Sequence, residues 1–174
     1  MSAIIVETTR QKLTLGGLTY DCVIGKGGTS SAEAKREGDG CTPVGEWPIR
    51  AVLLRPGRVI LPGGGIALPW RWTRAEDGWS DDPADPLYNR PARLPRTTST
   101  ETLQRADQAY DVIVVLGHND DPPVSGAGSA IFFHIWVPGE DGCPKATEGC
   151  VAVAPEAMRA ILPQLRAGMT MIIR

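Results

Sequence analysis

Cys150 and His134 are the two residues of this chain best suited to covalent chemistry. A cysteine nucleophile needs a base within reach, access for the substrate and N–H donors for the oxyanion. His134 can act as the base. Gly149 lets the backbone turn tightly, so that N–H groups beside Cys150 can converge on one oxygen. Spacing alone leaves two readings open: a nucleophile with its base, or a structural cysteine beside a turn glycine. In the first reading the histidine lowers the thiol pKa, so Cys150 is expected to alkylate ahead of Cys22, Cys41 and Cys143 near neutral pH.

The elements that must position this pair read as strands. Residues 3–8, 11–15, 18–24 and 46–55 are short apolar or alternating stretches, with Pro48 expected near a strand start or on an edge. Residues 111–117 form a buried strand by composition. In the strand 130–137, period two places Phe132, His134 and Trp136 on one face and Phe133, Ile135 and Val137 on the other. A further strand starts at 149–153. Pro155 then opens a helix over 155–166, which Pro163 bends or ends, and residues 169–173 are a last strand. Residues 101–108 read as a short helix. Residues 56–99 are rich in proline and glycine, but Trp70, Trp72 and Trp79 argue for an ordered excursion that shapes a cleft.

Composition narrows the function classes. The 174 residues suit one domain, expected over 1–174, with 42% hydrophobic and 22% charged residues. Glycine (20) and proline (15) are abundant, which favours a mainly β protein with long loops. The net charge of −2 and the lack of a basic run argue against nucleic acid, and no apolar run is long enough for a membrane span. No signal peptide is visible at the N-terminus, which leaves a cytoplasmic protein, a mature form or an unusual export route. Neither a phosphate loop at Gly25–Ser30 nor a calcium loop in the acidic runs keeps its required spacing. A zinc site from His118, His134, Cys143 and Cys150 has suitable ligand types but an unusually wide cysteine gap. No metal and no cofactor are expected.

Three segments together resemble the L,D-transpeptidase (YkuD-type) catalytic domain. The first runs from Glu37 to Ile49 and contains Asp39-Gly40-Cys41-Thr42-Pro43-Val44-Gly45. The second is Gly128-Ser129-Ala130-Ile131-Phe132-Phe133-His134, and the third is Thr147-Glu148-Gly149-Cys150-Val151, with the cysteine 16 residues after the histidine. The resemblance spans roughly 20–174 and implies a mainly β, YkuD-like sandwich with one or two short helices and long loops. It implies that Cys150 attacks a peptide carbonyl of a peptidoglycan stem to form a thioester, with His134 as base. The backbone carbonyl of Ile135 would orient the imidazole, and N–H groups at Gly149 and Cys150 would form the oxyanion hole. Carbapenem β-lactams are expected inhibitors, and the cell envelope or periplasm is the expected location.

Two positions depart from the family pattern. Glu148 stands where most members have His or Arg, and Ala152 where most have Arg or Asn. Either 3-3 or 1-3 cross-links are therefore open. Water as acceptor would make the same site an L,D-carboxypeptidase or endopeptidase. A non-catalytic cell-wall binding module is the reading in which Cys150 is only structural. Tyr88, Asn89, Arg90 and Asn119, on loops, are the expected substrate contacts, with Arg90 suited to a bidentate carboxylate pair.

Overall fold

A computed structural model describes residues 3–174. Its strands are β1 (Ile4–Glu7), β2 (Lys12–Leu15), β3 (Leu18–Val23), β4 (Thr29–Ser30), β5 (Thr42–Pro43), β6 (Gly45–Leu54) and β7 (Trp70–Trp72). They continue as β8 (Asp77–Ser80), β9 (Pro91–Arg93), β10 (Thr100–Thr102), β11 (Val112–Leu116), β12 (Phe132–Ile135), β13 (Val151–Val153) and β14 (Thr170–Ile173). One short helix, α1 (Pro155–Ile161), runs into a 3-10 turn over Leu162–Gln164. The fold is mainly β with a small helical content, as the sequence leads one to expect.

The large sheet has the order β11-β12-β13-β3-β2-β1-β14-β6-β7, and β6 pairs with β11 as well. The ladder therefore returns on itself, and only β7 lies outside the closed ring. The length of β6 makes this closure work. Gly45–Pro48 run antiparallel to β14, while Ile49 and Ala51–Leu54 run antiparallel to β11. Pro48 is the fourth residue of β6 and faces Thr170 of β14, before the pairing with β11 begins at Ile49. The missing N–H is tolerated because the register shifts just beyond it, where Leu116 faces Ile49 and Val115 faces Ala51.

Alternation sorts the ring into two cores. Ile4, Val6, Leu13, Val52, Leu54, Val114, Phe133, Val151 and Met171 are fully buried in the larger one. There they join Ala157, Met158 and Ile161 of α1. Pro155 at the first helical turn, Glu156 in that turn and Arg159 in the last turn suit the helix, and the chain passes into the 3-10 turn at Pro163. The other face carries a smaller core of Leu53, Ile113, Val115 and Phe132, with Trp79, Leu103, Tyr110, Ala130 and Cys150. In β12 the expected alternation holds through Ile135. It then fails: Trp136 packs on the larger core and Val137 on the smaller one. The β12 pairing ends at Ile135, so the period-two geometry ends with it.

The excursion after β6 is ordered, with a three-stranded sheet in the order β10-β8-β9. Thr100–Thr102 belong to this sheet, and a helix over 101–108 is not formed. Pairing with β8 overrides the local helical pattern. Gly78 permits the pairing, because a Cβ there would lie 2.5 Å from Thr100 Cγ2. Asp85 ties the excursion together. It accepts from the Leu87 N–H at 2.9 Å, Ser80 Oγ at 2.7 Å and Thr98 Oγ1 at 3.0 Å, and it pairs with Arg96.

Two outcomes follow. Leu54→Ala, at the seam where β6 closes the ring, is expected to cost about 2–5 kcal/mol in denaturant unfolding. The Leu87 N–H, then the Ser80 hydroxyl, hold the Asp85 carboxyl down at about 2. That is below its unfolded value of ~3.9, so its stabilisation is complete above about pH 4 and lost as pH falls toward 2. In Asp85→Asn, acid unfolding is expected to lose part of its pH dependence over that interval.

Candidate active site

His134 and Cys150 come together because β12 and β13 are adjacent parallel strands. His134 faces Ala152 in the register, and Cys150 lies immediately before β13. Both line one cavity of about 530 Å³, with Gly149, Ser129, Glu37, Glu101, Arg105 and Tyr110 among its other walls. Its walls draw on the smaller core, on Ile131 of the larger one and on the loops around them.

His134 Nδ1 lies 2.8 Å from the Ile135 carbonyl oxygen. That oxygen can only accept, so Nδ1 carries the proton and Nε2 keeps its lone pair. Tyr110 braces the ring edge-on, with centroids 5.2 Å apart. Burial pushes the imidazole down to about 4. Burial pushes the Cys150 thiol the other way, up to about 12, and the charge of Glu101 adds to this. The resting pair is therefore thiol and neutral imidazole, not thiolate and imidazolium. The Cys150 S–H donates to the Ala130 carbonyl at 3.3 Å, and the Phe132 N–H donates to Sγ at 3.3 Å.

The segment before Cys150 is held by hydroxyls. Thr147 Oγ1 donates to the Cys150 carbonyl at 2.6 Å and accepts from the Gly149 N–H at 3.1 Å. Thr42, from the first motif, accepts from the Gly25 N–H at 2.8 Å and donates to the same Cys150 carbonyl at 3.4 Å. Gly149 has φ +140°, and a Cβ there would lie 2.9 Å from the Cys41 carbonyl oxygen. The glycine is thus required by the close passage of the Asp39–Thr42 segment.

The four expected substrate contacts do not line this cavity. Tyr88 is buried and donates to Glu37 Oε2 at 2.5 Å. Asn89 is buried, and its amide is spent on Trp79, His118, Asn119 and Ala130. Asn119 closes its own loop onto Val124 and Gly128. These three side chains are held by other groups of the chain. Asn89 and Arg90 line a separate cavity of about 410 Å³ with Trp70 and Trp79, and Asn119 lines another of about 540 Å³ with Trp47 and His118.

Other cavity residues lacked a sequence signal. Glu101 accepts from the Tyr110 hydroxyl at 2.5 Å, and burial raises its carboxyl. The Arg105 guanidinium lies 5.4 Å from the centre of the Tyr110 ring. Glu37 and Ser129, by contrast, belong to the motif segments and hydrogen-bond each other at 2.7 Å. Glu148 pairs with Lys26 at 2.8 Å on the exposed surface. Ala152 is fully buried between His134 and Val23. All four cysteines are free, and among the described residues no three metal-ligating side chains gather.

The order of thiol reactivity checks the neutral pair. Burial raises the Cys150 thiol and so opposes the early alkylation anticipated from its histidine neighbour. At pH 7.5 iodoacetamide is expected to modify exposed Cys143 at least about tenfold faster than Cys150, read by peptide mass mapping. Cys150 reacting first would overturn the neutral pair.

The model of the L,D-transpeptidase catalytic domain, YkuD, matches residues 2–173. No curated protein matches the chain. Among solved structures, an L,D-transpeptidase from Mycobacterium smegmatis is similar at 12% identity and a TM-score of 0.42, over 99% of this chain and 58% of that one. The chain thus spans little more than half the length of that structure. No helix among the described residues is long and apolar enough to cross a membrane. With the family model spanning the ring, the excursion, His134 and Cys150 alike, the chain belongs to the YkuD family of L,D-transpeptidase catalytic domains.

Proposed function

We propose that this chain is a peptidoglycan L,D-transpeptidase that works through a thioester on Cys150. The observation that carries the reading is the shared cavity in which a neutral His134, with its tautomer set by the Ile135 carbonyl, opens beside the cysteine. Cys150 Sγ attacks a stem-peptide carbonyl while its proton passes to His134 Nε2. The carbon–nitrogen bond breaks, and the leaving amine takes that proton. A second stem's amine then attacks the thioester, His134 takes its proton, and the proton returns to the departing sulfur.

Because both groups start neutral, proton transfer accompanies attack and is not complete before it. The N–H groups of Cys150 and Gly149 are the proposed oxyanion donors, with the Gly149 N–H exchanged from Thr147 Oγ1. The link is 3-3 or 1-3. Carbapenems acylate the same sulfur, and the work is done in the cell envelope.

The test is incubation with disaccharide-tetrapeptide muropeptides, followed by liquid chromatography and mass spectrometry. A dimer is expected from the parent protein and none from Cys150→Ala, a loss of at least about 1,000-fold. Fragmentation of the dimer assigns the link. Shortened monomers alone would make the enzyme a hydrolase, and identical products from both proteins would remove Cys150 from the chemistry.

A further inference from the structure

Two groups touch the Cys150 sulfur from the segment that enters β12: the Ala130 carbonyl, which accepts the S–H, and the N–H of Phe132, the first residue of the strand, which donates to Sγ. Ala130 is an alanine with φ +51°. This left-handed region crowds a Cβ against the carbonyl, so a non-glycine residue stays there only when its surroundings hold it.

The side chain of Asn89 supplies that hold. Its Oδ1 accepts from the Ala130 N–H at 3.1 Å and from Trp79 Nε1 at 2.9 Å. Its Nδ2 donates to the carbonyls of His118 at 3.1 Å and Asn119 at 2.6 Å. Two donors face the oxygen and two carbonyls face the nitrogen, so the amide has one orientation and no unused hydrogen-bonding position. Trp79 in turn packs edge-on against Phe132, with centroids 5.1 Å apart. Asn119 pins the preceding residue pair by donating to the Gly128 carbonyl at 2.9 Å.

We infer that Asn89 is a positioning residue for Cys150, acting through the left-handed backbone of Ala130. The amide fixes where the Ala130 carbonyl points, and that carbonyl fixes the direction of the thiol proton. The S–H bond to a carbonyl favours the protonated sulfur. Releasing it should therefore make the thiol easier to ionise while spoiling its aim. The effect on turnover rests on the transpeptidase reading. The effect on the thiol does not.

The experiment compares Asn89→Ala, Ala130→Gly and the double variant by the rate of Cys150 alkylation with iodoacetamide from pH 8 to 10, with dimer formation from muropeptides read in parallel. Glycine adopts the left-handed region without a Cβ to crowd, so it should restore what the missing amide no longer imposes. In Asn89→Ala, Cys150 is expected to alkylate several-fold faster at each pH while dimer formation falls by ~100-fold. Ala130→Gly alone is expected to keep the parent's slow Cys150 alkylation, and the double variant to return most of the way to that rate. Cys22, buried in the larger core, reports general loosening and should stay unreactive throughout.

A faster Cys22 together with Cys150, or a double variant no closer to the parent than Asn89→Ala, would reduce Asn89 to a structural residue and overturn the inference. So would an unchanged alkylation rate in Asn89→Ala. If Asn89→Ala does not fold, recovery of a folded double variant with the parent's alkylation rate supports the inference, and failure of both to fold overturns it. If no protein makes dimers, the transpeptidase reading fails, while the alkylation rates still decide the role of Asn89.

Discussion

Everything in this molecule hangs on one strand that pairs on both of its edges. β6 meets β14 with its first residues and β11 with its last, and this turns a run of neighbouring strands into a closed ring. Closure removes the open edges that a sheet of this size would otherwise present. It also forces alternate residues of β6, β11 and β12 onto an outer face that needs its own cover. The excursion after β6 provides it: Trp79, Leu103 and Tyr110 pack on Leu53, Ile113 and Phe132.

His134 and Cys150 sit at this second core and are both buried. Desolvation moves the thiol and the imidazole in opposite directions, each toward its neutral form. A thiol raised and an imidazole lowered by burial both keep their neutral forms near neutral pH. The carbonyls around the site keep that state in order. Ile135 holds the imidazole proton, Ala130 the thiol proton, and the Cys150 carbonyl is itself held by Thr42 and Thr147.

The three motif segments are distant in sequence, yet each has a separate mechanical task at one place. The Asp39–Thr42 stretch passes so close to Gly149 that no side chain fits there, and Thr42 bonds the carbonyl of the cysteine itself. The segment ending at His134 brings both the imidazole and the two groups that hold the sulfur. The two departures from the family pattern lie differently. Glu148 is a solvent-facing ion-pair partner of Lys26, which contributes little to stability. Ala152 is sealed in the sheet beside His134, where a larger polar side chain would have to displace its neighbours.

Strand positions, the final helix with its proline bend, and the pairing of His134 with Cys150 were legible in the residues, because local period, turn chemistry and motif spacing encode them. Contacts between distant segments were not. The strand at Thr100–Thr102 reads locally as helix, and only β8 makes it a strand. Asn89 and Asn119 look like loop residues free to meet a substrate, and only the fold shows their amides bonded to backbone groups and, for Asn89, to the Trp79 indole. The sign of the pKa shifts is the clearest case. A histidine near a cysteine suggests a lowered thiol pKa, whereas burial under the excursion raises it. The sequence by itself determined the strands and which residues bring a thiol and an imidazole to them. The tertiary structure decided their protonation and their aim, because desolvation and carbonyl placement depend on segments far apart in the chain.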